Sequence, residues 1–162
     1  MELYFPILAH VQIIDHLNDL LVLVAAFVLG GIIGYERERH DQPAGLRTHI
    51  ILCVGSALIT LVSLEVAEIY KGADPGRIAA QIVSGIGFLG AGAILKYGTT
   101  VRGLTTATSL WTVAGIGMAL GFRLWIPAVL ATIFVYVAME YLRKLEGTIF
   151  VGRAYRTISV TC

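Results

Sequence analysis

Charge is what this sequence has least of. Asp, Glu, Lys and Arg together make up 14% of its 162 residues, against about 25% in a soluble domain. The hydrophobic share is 57% and the mean hydropathy is +0.80. These values exclude an ordinary water-soluble domain and leave no room for a second large one. A net charge of only +1 gives no electrostatic footprint for nucleic acid. The two cysteines are Cys53, inside an apolar run, and the final Cys162. They offer neither a disulfide framework nor metal-ligand spacing. No Ser-His-Asp, Cys-His or zinc pattern is present, so nothing argues for an enzyme. The residues before the first apolar run include Glu2, Asp15 and Asp19 but no Lys or Arg, the wrong charge for a secretory n-region.

What remains is apolar and organised. Five uncharged runs occupy 20–35, 50–64, 78–95, 103–122 and 124–139. Several fall short of the ~20 residues of a spanning helix, so the charged residues at their ends must sit in the interface or snorkel. The expectation is an all-α membrane protein with five transmembrane helices. Residues 1–16, which contain Pro6, read as a short interfacial helix or a loop. With five spans, nine basic residues share one side: Arg37, Arg39, Arg47, Lys96, Arg102, Arg143, Lys144, Arg153 and Arg156. Lys71, Arg77 and Arg123 lie on the other. This asymmetry puts the C-terminus in the cytoplasm and the N-terminus outside.

The small and polar residues are patterned. In the first run Ala26, Gly30 and Gly34 recur every four residues, a packing face for another helix. In the second, His49, Cys53, Ser56, Thr60 and Ser63 fall on one helical face. In the fourth, Thr105, Thr108, Ser109 and Thr112 share a face, and Gly117 and Gly121 form a GxxxG. The third run begins after Asp74-Pro75, a cap and a first-turn residue. Arg77, Gln81 and Ser84 form its polar stripe, with Gly85 and Gly92 beside it and Gly87 and Gly90 on another side. This predicts a helix packed closely on two sides, its stripe turned toward protein. Gly85 to Gly90 also matches GxGxxG, but a dinucleotide site needs a strand before it, whereas this motif lies inside an apolar run.

The segments DPGRIAAQIVSGIGFLGAGAI, RGLTTATSLW and GYERE…AGLRTH occur together and in order. They resemble the signature of the MgtC/SapB family of bacterial inner-membrane proteins, over roughly residues 20–140. The resemblance implies a transmembrane domain over 1–145 and a short cytoplasmic tail, 146–162, truncated relative to members that carry an ACT-like domain. The tail's β-branched, partly alternating residues read as the start of a strand. The resemblance implies a non-enzymatic accessory or regulatory role in Mg²⁺ homeostasis and growth at low Mg²⁺, associated with virulence in some relatives. The alternative is a Mg²⁺ channel or carrier. Expected partners are membrane lipid, a second copy of the chain as a dimer, and a membrane protein such as the ATP synthase or a Mg²⁺ transporter. The motif positions are Glu36, Arg37, Arg47, Thr48, Asp74, Arg77, Gln81, Ser84, Thr105 and Thr106.

The residues themselves allow two readings of the charged cluster at 36–47. One is a solvated helix end with interfacial anchors. The other is an ordered network in which Glu36 neutralises Arg47 or Arg37, with Thr105 and Thr106 bonded nearby. The family motif favours the second. Glu140 and Lys144 form an i,i+4 pair at the end of the fifth run. No cofactor is expected. Mg²⁺ would need one or two carboxylates, and Glu36, Glu38 and Asp41 on one side, or Glu65, Glu68 and Asp74 on the other, have no diagnostic spacing. None of the eleven acidic residues falls within an uncharged run. A cation pathway usually places ionisable groups there, although a hydroxyl-lined path would not need them.

Overall fold

The computed structural model of the chain describes residues 4–142. It is an antiparallel helical bundle: α1 (Tyr4–Arg39), α2 (Leu46–Ile69), α3 (Arg77–Ala93), α4 (Leu104–Gly121) and α5 (Trp125–Val137). A π-helical turn, Ala138–Leu142, continues α5. Between α3 and α4 lies a small antiparallel hairpin, β1 (Leu95–Tyr97) and β2 (Thr100–Arg102), in which Lys96 faces Val101. Successive helices alternate in direction. One end of the bundle therefore gathers the end of α1, the start of α2, the hairpin and the π-helical turn. It carries Arg37, Arg39, Arg47, Lys96 and Arg102 and is called the basic end below.

The chain is an all-α multi-pass membrane protein. Among the described residues, four helical stretches are long and apolar enough to cross a membrane: His16–Arg39, Leu46–Ile69, Leu104–Gly121 and Trp125–Leu142. The third run yields less than expected. Its helix has 17 residues, about 25 Å at 1.5 Å per residue, short of a hydrocarbon core about 30 Å thick. The run loses its last two residues because Ile94 is already extended and leads into β1. Gly103 fixes this exit. Its φ is +89°, and a Cβ there would strike the carbonyl oxygen of Ala93. At the other end α1 is continuous from Tyr4, where a short separate helix or loop was expected. Pro6 falls in the first turn, where no N–H is needed by the ladder. The readings of the 148–161 tail and of the Glu140–Lys144 pair rest on residues outside those described.

The core is built on α2 and α4. Val22, Ala26 and Ile33 of α1 meet Cys53 and Ala57 of α2, Val113, Ile116 and Leu120 of α4, and Ala128 of α5. Missing side chains let the backbones approach. Gly30 leaves room for the Cβ of Cys53, and Gly34 for the Cα of Leu46. Gly117 lies on the Cys53 carbonyl, and Gly121 against Thr60 and the Ala57 carbonyl. In lipid, where apolar surface gains little by association, such close van der Waals contact is what holds helices together.

Candidate functional site

Two groups of polar residues result, one inside the bundle and one at its basic end. The inner group is the α2 stripe. His49, Cys53, Ser56, Thr60 and Ser63 are all buried, at 0–2% exposure, facing α1, α4 and the start of α3. Their hydrogen bonds run both within α2 and to neighbouring elements. Thr60 Oγ1 donates to the Ser56 carbonyl at 2.8 Å, and Ser63 Oγ donates to the Pro75 carbonyl at 2.6 Å. Ser63 Oγ also accepts the Ala79 N–H at 3.3 Å, which satisfies one of the orphan donors in the first turn of α3. Asp74, expected to cap that helix, instead accepts the Gly76 N–H at 2.8 Å and closes the preceding turn. His49 links helices: Nδ1 lies 2.8 Å from the Gly45 carbonyl and Nε2 lies 3.1 Å from Ser109 Oγ. A carbonyl only accepts, so Nδ1 carries the hydrogen of the neutral ring and Nε2 accepts. The Ser109 hydroxyl is then shared between Nε2 and the Thr106 carbonyl, 2.8 Å away.

The second group surrounds Glu36 and Arg37, the last buried turn of α1. Both are nearly sealed, at 3% and 5% exposure. Arg37 NH2 donates to Gln42 Oε1 at 2.8 Å and to Thr106 Oγ1 at 3.4 Å. Arg37 therefore ties the α1–α2 loop to the start of α4. Its NH1 stands 3.7 Å from Glu36 Oε2, and His40 Nδ1 stands 3.0 Å from Glu36 Oε1. Neither Glu36 oxygen has a hydrogen-bond partner among the described residues. Gln42 Nε2 donates to the His40 carbonyl at 2.9 Å, holding the loop in shape. Glu38 caps α2: its Oε2 accepts the Leu46 N–H at 2.9 Å, placing a negative charge at a helix N-terminus. Beside Arg37 opens a cleft of about 480 Å³ between α1, α4 and α5. Thr105, Thr108, Ser109 and Thr112 line it on one side, and Val135 and Met139 on the other.

The sequence-predicted residues thus separate. Glu36, Arg37 and Thr106 come together, and Thr105 lines the adjoining cleft. Arg47 and Thr48 are exposed. Of the two partners read for Glu36, Arg37 is the one beside it, joined by His40, and Arg47 makes no ion pair with it among the described residues. Asp74 and Arg77 are exposed at the opposite end. Gln81 and Ser84 are exposed on the outer side of α3, not turned into the bundle. The buried side of α3 is Ala79, Ile82, Ile86 and Gly90. The third-helix glycines need the same correction. Gly90 is in ordinary contact with Ala107 Cβ at 3.7 Å, while Gly85, Gly87 and Gly92 have nothing within 4 Å among the described residues. Ile82 and Ile86, packed on Ala114 with Leu52 alongside, make the contact. They leave a groove of about 370 Å³ beside Gly55, Gln81 and Gly85.

Sequence reasoning missed Gln42, His40 and Glu140. His40 lies four residues after Glu36, a helical spacing legible in the sequence; the approach of Glu140 from α5 was not.

A family model for the MgtC family matches residues 23–148. The chain belongs to the MgtC family. It is 47% identical over 125 residues to Protein MgtC of Salmonella typhimurium, covering 77% of this chain and 52% of that protein. It is 47% identical over 123 residues to Protein MgtC of Brucella abortus, covering 76% and 50%. An uncharacterized protein of Haemophilus influenzae is 44% identical over 133 residues, covering 78% and 56%. The chain spans about half the length of the curated relatives it matches. No solved structure matches it. The matched stretch holds both polar groups in full.

Proposed function

We propose that this MgtC-family protein resides in the bacterial inner membrane with its basic end in the cytoplasm and crosses five times, α3 serving as a short fifth span. In this reading it is a non-enzymatic accessory or regulatory protein of Mg²⁺ homeostasis and of adaptation to low Mg²⁺, as the name of its relatives suggests, and it conducts no ion itself. One observation carries the last point. The buried hydroxyl stripe of α2 lies against α4, and the seam between the two helices is filled. Gly117 and Gly121 bring the α4 backbone directly onto Cys53, Ala57 and Thr60. The hydroxyls there bond to their own or neighbouring backbone carbonyls. A conducting path needs room for an ion beside its oxygens, and the contact of α4 on α2 leaves none along this seam among the described residues.

The outer side of α3 supports a homodimer. Gln81 and Ser84 face outward there beside uncovered glycines, and lipid cannot hydrogen-bond an amide or a hydroxyl. A second copy would supply both partners and close contact. The cleft beside Arg37 is then the surface on which a membrane-protein partner docks.

Flux measurement tests this reading. Liposomes holding the purified protein should show no Mg²⁺ or monovalent-cation flux, while cells lacking it grow poorly when Mg²⁺ is scarce. Saturable Mg²⁺ flux through the reconstituted protein would refute it in favour of a channel or carrier.

A further inference from the structure

The unusual group in the molecule is the carboxylate of Glu36. It is 3% exposed, and neither of its oxygens has a hydrogen-bond partner among the described residues. A buried carboxylate ordinarily accepts several hydrogen bonds, and one that does not calls for a missing water or ion. Arg37 NH1 stands 3.7 Å from Oε2, with NH2 committed to Gln42 and Thr106, and His40 Nδ1 stands 3.0 Å from Oε1. Two further ligand types converge on the same spot. One ligand atom each from Glu36, His40 and Glu140 lies within 4.8 Å of the others. Glu140 comes from a different helix, on the π-helical turn Ala138–Leu142 that continues α5.

We infer that Glu36, His40 and Glu140 form a binding site for a first-row transition-metal dication, of the Mn²⁺-to-Zn²⁺ class, at the basic end between α1 and the end of α5. The distances suit one. Ligand atoms bound at about 2.0–2.2 Å in tetrahedral or octahedral geometry lie about 3.0–3.5 Å apart when adjacent. Glu36 Oε1 and His40 Nδ1 are already 3.0 Å apart, and a ligand atom of Glu140 lies within 4.8 Å of one on each. His40 Nδ1 now faces the Glu36 carbonyl at 2.8 Å. A metal bound there would take the Nδ1 lone pair, with the ring hydrogen on Nε2. The donor set selects the metal. Imidazole with carboxylates suits Mn²⁺, Fe²⁺, Co²⁺ or Zn²⁺, whereas Mg²⁺ takes oxygen ligands and keeps its waters. A site that discriminates against Mg²⁺ would let this protein respond to a second metal. It does not rest on the accessory reading, which flux decides separately.

The test is metal binding by the full chain in nanodiscs of neutral lipid. Co²⁺ is titrated and followed by its visible d–d absorption, and stoichiometry is measured by equilibrium dialysis with Zn²⁺. About one metal per chain is expected, undisturbed by a hundredfold excess of Mg²⁺. Glu36→Gln, His40→Gln and Glu140→Gln should each weaken binding tenfold or more. Glu140 is only half-buried, so Glu140→Gln tests the site even where Glu36→Gln fails to fold. Well under one metal per chain in the wild type would overturn the inference. So would His40→Gln and Glu140→Gln proteins that bind as the wild type does, or displacement of Co²⁺ by an equal concentration of Mg²⁺.

Discussion

Gly117→Ala is the sharpest probe of how the bundle is held. In an isolated helix this change helps by about 1 kcal/mol, because alanine has the better propensity. Here the new Cβ would land on the Cys53 carbonyl oxygen and 2.9 Å from Ser56 Cβ. Comfortable separations between non-bonded carbons are about 3.5–4.0 Å, so α2 and α4 must part by roughly an ångström. The obstructing atom is backbone and cannot swing away. A radial gap of that size forfeits about a quarter to a half of each affected contact along the seam, and overpacking of this kind costs about 1–3 kcal/mol. Gly115→Ala is the matched control, two residues away in the same helix with nothing within 4 Å of its Cβ. It keeps the propensity gain and meets no obstruction, so the pair should differ by about 1–3 kcal/mol. Cys53 reports the difference directly, since it is fully buried under Gly30 and Gly117. In a Cys162→Ser background it is the sole thiol. A membrane-permeant maleimide should modify it about 5–30 times faster in the Gly117→Ala protein than in the Gly115→Ala protein. Equal protection of Cys53 in the two proteins, with equal thermal stability in detergent, would refute the close-contact account.

The double change Gly117→Ala with Gly121→Ala should cost less than the sum of the singles, since both act on one seam; additive melting shifts would mean independent sites. Arg37→Ala leaves Glu36 buried beside one fewer cation and should destabilise the protein by about 3–5 kcal/mol, whereas exposed Arg47→Ala should stay within about 0.5 kcal/mol; denaturation in detergent and growth at low Mg²⁺ both read the contrast. Gly90→Leu should disturb α3 on α4 through Ala107. Gly87→Leu should leave the monomer's stability unchanged and reduce crosslinking between copies, and intact crosslinking would remove α3 from the dimer surface. An impermeant thiol reagent should label Cys162 only after cell lysis, and labelling of intact cells would invert the proposed orientation.

The sequence by itself determined the class of molecule and much of its inner chemistry. A chain with so little charge has few ways to satisfy its backbone in lipid except as helices. The α2 stripe from His49 to Ser63 was legible because a helix is its own ruler: steps of three and four residues place side chains on one face whatever lies opposite. The same ruler put Arg77, Gln81 and Ser84 on one side of α3. It could not say which side of α3 the rest of the chain would cover. That was decided by the volumes of Ile82 and Ile86 against α4, contacts between residues far apart in sequence. For the same reason composition alone could not sort the glycines. Gly117 and Gly121 face α2 and carry the close contact, while Gly85 and Gly87 face outward, although all four look alike in the sequence. The ionic partner of Glu36 depended on tertiary structure too. Arg47 was as near in sequence as the motif required, but α2 begins at Leu46 and Arg47 lies exposed on its first turn. Arg37 is instead drawn inward by Gln42 and Thr106. Only the return of α5 to the basic end brings Glu140 to Glu36, since helical periodicity fixes neighbours along one helix and bundle packing alone fixes neighbours across it.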